Sequence, residues 1–95
     1  MNQENDMKAI ISVFARDRIG IIADVCVLIS SMKVNILDLN QTVMDGVFTM
    51  VMQVDTATSD KPFDEIRRAL ETEGKELGLD IRIQREDIFD AMHRV

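Results

Sequence analysis

Ala15-Arg16-Asp17-Arg18-Ile19-Gly20-Ile21-Ile22, followed fifteen residues beyond Gly20 by Asn35-Ile36, organises the reading of the whole chain. A β-like run ends there in a polar, Gly-bearing turn, an amphipathic segment follows, and the next strand opens on an Asn. Gly20 permits a backbone path closed to other residues. The turn and the Asn together outline a small polar pocket rather than an active site.

Upstream, residues 8–15 alternate: Ile11, Val13 and Ala15 share one face and Ile10, Ser12 and Phe14 the other, the pattern of a strand. Asp17 and Arg18 break it. Downstream, Ile21, Val25, Leu28, Ile29 and Met32 recur at helical spacing over residues 21–32, with Ile22 flanking the stripe. Residues 34–45 and 47–55 read as two strands joined at Asp45-Gly46, a pair that accepts positive φ and so favours a tight hairpin. After a polar turn, Pro62 opens a second helix in the first-turn position, with Asp60 as its candidate cap. Phe63, Ile66, Leu70 and Leu77 point inward from this helix and Glu65, Arg68, Glu71 and Lys75 outward; Gly74 weakens its middle and Gly78 caps its end. Leu79, Ile81 and Ile83 then alternate with Asp80, Arg82 and Gln84, a strand buried on one face. Residues 86–95 carry Ile88, Phe89 and Met92 as the apolar side of a short C-terminal helix.

Strand, helix, strand, strand, helix, strand is the split βαβ plan: an α+β, ferredoxin-like βαββαβ sandwich, with a four-stranded antiparallel sheet and two helices on one face. The other face carries Ile10 and Phe14 and is too apolar to be left wet. The terminal helix, a second subunit or a partner is expected to cover it.

Composition sets the outer limits. Ninety-five residues, 46% hydrophobic and 29% charged, suit one small domain with no room for a catalytic domain beside a regulatory one. Residues 1–7 read as a flexible tail and residues 8–95 as the domain. A net charge of −6 with scattered basic residues argues against direct nucleic-acid binding. Cys26 is the only cysteine, so there is no intrachain disulfide and no multi-thiolate site. No run approaches the roughly 18 apolar residues of a membrane span, and the polar, acidic start is unlike a secretion signal. A cytoplasmic protein is expected. His93, the lone histidine, cannot supply a multi-histidine metal site or a Ser-His-Asp system, and no cofactor is expected.

Asp17-Arg18-Ile19-Gly20-Ile21-Ile22 and Lys33-Val34-Asn35-Ile36 resemble the D-R-x-G-I-[IV] and G-x-N-I blocks of ACT domains, regulatory modules that bind amino acids beside many metabolic enzymes. The likeness covers residues 8–85. Asn40-Gln41-Thr42-Val43-Met44-Asp45 with Phe48-Thr49-Met50 is similar to the Q-T-V-x-D and F-T-M signature of small stand-alone ACT proteins of bacteria and archaea. These are related to the ACT domains of the glycine cleavage system repressor and formyltetrahydrofolate deformylase. The resemblance implies a non-catalytic homodimer that holds an amino acid or related metabolite between the first turn of one subunit and the second-strand start of its neighbour. It places Asp17, Arg18, Gly20, Ile21 and Asn35 at that site, and it admits a partner enzyme or regulator. Two positions depart from the pattern: Ile19 stands where proline is common, and Lys33 where glycine is common.

The residue types suit such a ligand on their own terms. Backbone N–H groups from Gly20 to Ile22 open a helix, a place for a carboxylate. Asp17 either accepts from an ammonium or caps the helix, and Asn35 either bonds the ligand or satisfies its own turn. Lys33 either narrows the site or neutralises a carboxylate. A docking module with a vestigial pocket is the competing reading, and a small acyl-phosphate hydrolase using Arg18 and Asn35 a more distant one. Two copies could pair by their strand edges or by their open sheet faces, and Ile10 and Phe14 favour the faces.

Overall fold

The structure, a computed structural model, describes residues 7–86. The C-terminal helix expected over residues 86–95 lies, apart from its first residue, outside the described residues. So does the expected tail, apart from Met7.

The elements run β1 (Lys8–Arg16), α1 (Ile21–Ser31), β2 (Asn35–Met44), β3 (Val47–Asp55), α2 (Phe63–Glu76) and β4 (Asp80–Arg85). The strands form one antiparallel sheet in the order β2-β3-β1-β4, the ferredoxin-like arrangement. Alternation decides which face is buried. Ala9, Ile11 and Val13 of β1, Met50, Met52 and Val54 of β3, and Ile81 and Ile83 of β4 turn to one side, where Val25 and Ile29 of α1 and Ile66 and Leu70 of α2 close over them. On the other side the rows Gln84, Ile10, Gln53 and Arg82, Ser12, Val51 cross β4, β1 and β3, and neither α1 nor α2 lies above them.

Observed boundaries fall within one residue of those expected, except that Pro62 sits just outside α2. It is the N-cap, with φ −67° and ψ 158°, and its carbonyl accepts from the N–H groups of Glu65 (3.0 Å) and Ile66 (3.1 Å). Asp60 makes no capping bond, because the backbone carbonyl of Pro62 has taken that work. Leu77 is another correction. It is the C-cap of α2 and is exposed, since the helix has ended before its side chain could turn inward. The inward place belongs to Gly74, where a Cβ would stand 2.9 Å from Ile81 Cδ1 and 3.2 Å from the Leu79 carbonyl. Gly74 therefore lets α2 seat on β4 rather than merely loosening the helix.

Both helices end in the same hydrogen-bonded loop. In α1, Lys33 N–H donates to Ser30 O (2.9 Å) and Val34 N–H to Ile29 O (3.4 Å); in α2, Gly78 N–H donates to Lys75 O (3.0 Å) and Leu79 N–H to Gly74 O (2.7 Å). This is the Schellman pairing, which needs a left-handed residue just past the helix. Gly78 supplies it at φ 79°; Lys33 is forced into it at φ 62°. The β2–β3 turn likewise has positive φ at both Asp45 (53°) and Gly46 (76°), as a two-residue type I′ hairpin requires.

Candidate ligand-binding site

The β1–α1 turn meets the tip of the β2–β3 hairpin at one end of the sheet. Asp17 N–H donates to Gly46 O at 2.9 Å, which locks the two loops together. Beneath them lies a cleft of about 260 Å³. Asp17, Arg18 and Gly20 line it from the turn, Ile21, Ile22 and Ala23 from the first turn of α1, and Gln41, Val43 and Phe48 from the hairpin.

Each expected site residue has a definite place. Gly20 is the N-cap of α1 with φ 89°, and its carbonyl accepts from Asp24 N–H at 2.9 Å. An added Cβ would find its nearest neighbour at 3.9 Å, so the glycine is required by backbone conformation and not by space. Ile21 is buried and anchors the helix to the core while its N–H stays at the open end. The first N–H groups of a helix have no partner within it, which leaves donors aimed into the cleft.

Asp17 does not cap α1, which has no side-chain cap bond. Among the described residues its carboxylate has no hydrogen-bond or ion-pair partner. Arg18 is different. Its Nη2 donates to Asp24 Oδ2 and to the Leu77 carbonyl, both at 3.0 Å, and its Nη1 to the Ile19 carbonyl at 3.1 Å. The guanidinium is thus a latch from the β1–α1 turn to α1 and to the end of α2. Only Nε and one Nη1 hydrogen stay available.

Asn35 is not in this cleft. It pairs with Asp55 at the start of β2, whereas the cleft takes Gln41 and Val43 from the far half of the same strand. Six residues of extended chain separate Asn35 from Gln41, about 20 Å. Within one chain, Asp17 and Asn35 lie toward opposite ends of the sheet.

Sequence reasoning left Val43 and Phe48 out of the pocket and gave Gln41 no argument. The signal was present. A two-residue turn at Asp45-Gly46 fixes Met44 opposite Val47 and hence Val43 opposite Phe48, which puts Gln41, Val43 and Phe48 on the helix-bearing face. Among the described residues no three of His, Cys, Asp and Glu gather to hold a metal. No helix among them is long and apolar enough to cross a membrane.

Fold and cleft define a small βαββαβ module with an open recess at one end of its sheet, between the β1–α1 turn and the β2–β3 hairpin. A family model for the ACT domain matches residues 8–84, and the chain belongs to the ACT domain family. It is 48% identical over 89 residues to a UPF0237 protein of Clostridium acetobutylicum, covering 94% of this chain and all of that protein. Among solved structures, an ACT domain protein from Streptococcus pneumoniae superposes with a TM-score of 0.79 at 40% identity, over 90% of this chain and 96% of the other. A formyltetrahydrofolate deformylase from Pseudomonas syringae matches with a TM-score of 0.73 at 25% identity over 82% of this chain but only 27% of its own length. The likeness to the enzyme is therefore confined to a part of it about the size of one ACT domain.

Proposed function

We propose that this chain is a non-catalytic regulatory module that holds a small amino acid or related metabolite between two copies of itself. The observation that carries the reading is the separation of Asp17 from Asn35, together with the position of β2 at the sheet edge. A two-fold axis through an edge strand pairs it antiparallel with its own copy. If the axis passes between Leu39 and Asn40, the midpoint of β2, Asn35 of one copy falls opposite Met44 of the other, beside the cleft that Val43 lines. The axis creates two such sites, each with a turn from one subunit and an Asn from its neighbour.

Exposed apolar residues agree with that edge as the contact. Leu39 (37%), Val43 (54%) and Met44 (72%) of β2 are exposed, and Ile22 (40%) stands on the flank of α1 beside them. In the joined site, the N–H groups at the start of α1 would receive the ligand carboxylate, Asp17 would accept from its ammonium, and Asn35 would bond either. Binding then stabilises the dimer by mass action, and a partner protein reads the altered dimer.

Titrating the purified protein with the twenty amino acids and close metabolites tests the reading. One of them should raise the melting temperature, with a gain of about 2.7 kcal/mol at a hundred times its Kd. Absence of heat and of thermal shift for all of them would overturn it. Two observations favour a second reading, a protein-docking module with a vestigial pocket: the Arg18 guanidinium is engaged within its own chain, and a long side chain, Lys33, stands two residues before Asn35 at a left-handed position. In that case the β2 edge still forms the dimer and Asn35→Ala changes neither ligand response nor stability.

A further inference from the structure

Away from Asp17 and Arg18, the lining of the cleft is mainly apolar. Ile21 and Phe48 reach it as buried residues, whereas Ile22 and Val43 face it exposed. Val43 and Phe48 are cross-strand neighbours, so the hairpin and the helix each offer an apolar wall. Apolar surface of this kind gains by being covered. Charge in the cleft is unbalanced. The Asp17 carboxylate has no partner among the described residues, whereas the Arg18 guanidinium is neutralised by Asp24 at 3.0 Å and held by the Leu77 carbonyl. The other lining residues carry no charge, and Gln41 is the neutral polar side chain among them.

These features choose among ligands. With the ammonium on Asp17 and the α-carboxylate on the first N–H groups of α1, the ligand side chain is left to Ile22, Val43 and Phe48. A second carboxylate there would find no unpaired cation, and a second ammonium no second carboxylate. A neutral polar side chain would set its donors against apolar walls with only Gln41 to answer them, and polar groups buried without partners are costly. The volume, about 260 Å³, falls below the roughly 300–1,000 Å³ of pockets that take drug-sized ligands, so it suits a single amino acid. We propose that the ligand is an aliphatic α-amino acid (valine, leucine or isoleucine), an assignment that rests on the reading of the cleft as an amino-acid site. Ile22 and Val43 select the side chain. Asp17 selects the amino form, because the corresponding 2-oxo acid has no ammonium and would bring a carbonyl oxygen against the carboxylate.

Calorimetric titration of the full-length protein with the twenty amino acids and with 4-methyl-2-oxopentanoate, the oxo acid of leucine, tests the assignment. One of the three aliphatic amino acids should bind tightest, with alanine weaker by roughly 10-fold or more, as expected when methylenes are lost from an apolar wall. Serine, aspartate, lysine and the oxo acid should bind more weakly still. Substitution supplies a second readout. Ile22→Ala should weaken leucine by about 10-fold while leaving alanine within about twofold, since alanine does not reach that wall. Tightest binding by an amino acid outside the aliphatic group would overturn the assignment and leave the amino-acid site standing. Binding of the oxo acid as tight as that of leucine would overturn the part given to Asp17. Heat from none of the amino acids would remove the site itself, and the assignment with it.

Discussion

Lys33 is the residue at which this chain departs most visibly from its own rules. The two helices end in the same loop, one on Gly78 and one on Lys33, both left-handed. A left-handed conformation costs an L-residue about 1–2 kcal/mol, and glycine gives back about 0.5–1 kcal/mol of that in lost unfolded-state entropy. Lys33→Gly should therefore stabilise the protein by on the order of 0.5–1 kcal/mol, seen as a raised urea midpoint with an unchanged slope. A reduced ligand response in the same variant would mean that Lys33 is kept for its charge. Gly74 is the opposite case. Alanine would gain up to about 1 kcal/mol of helix propensity but would press on Ile81 and the Leu79 carbonyl, and overpacking costs about 1–3 kcal/mol. A net loss is expected for Gly74→Ala by thermal denaturation. Asp17 carries a third expectation. Its carboxylate is unpaired among the described residues, so Asp17→Asn should leave stability unchanged while weakening the ligand about 10- to 100-fold, the worth of one charge-assisted bond.

At the scale of elements, β2 matters most because it has one free edge and one shared one. Val43 is 54% exposed on it, opposite Phe48 of β3. On the proposed β2-edge dimer, Val43→Lys should give a monomer by light scattering while far-ultraviolet dichroism stays the same; a dimeric parent whose variant stays dimeric would move the interface elsewhere. The elements themselves were legible in the sequence, since strands with a period of two and helices with a period of 3.6 are buried on one side only. What periodicity could not show was where a helix stops being helical. Leu77 continues the inward stripe of α2 on paper, but the Gly78 loop ends the helix at Glu76, and Gly74 takes the inward contact. Asp60 looked like a cap because side-chain caps are common, whereas the carbonyl of Pro62 serves here.

For the whole molecule, half of the candidate site could be read from sequence and half could not. Asp17, Arg18, Gly20 and Ile21 are contiguous in sequence and contiguous around one cleft. Asn35 is distant within one chain because β2 runs away from the cleft; the proposed assembly is what would bring it in, and beyond the family resemblance the sequence marks that assembly only by apolar residues such as Val43 and Met44, which the fold leaves exposed. The bonds that occupy the Arg18 guanidinium were hidden for a related reason: Leu77 is 59 residues away along the chain. The claim that the site is shared between subunits can be tested by complementation. Asp17→Asn and Asn35→Ala proteins, each weakened for the amino acid that most stabilises the parent, are mixed, dissociated and reassociated, and titrated by calorimetry with that amino acid at a concentration where neither alone gives heat. A shared site predicts that binding returns, because one of the two sites in each mixed dimer is built from intact Asp17 and intact Asn35, or about one site in four after random reassociation. If the mixture gives no more heat than its components at that concentration while the parent protein binds, the pocket belongs to a single chain and the shared-site reading is wrong.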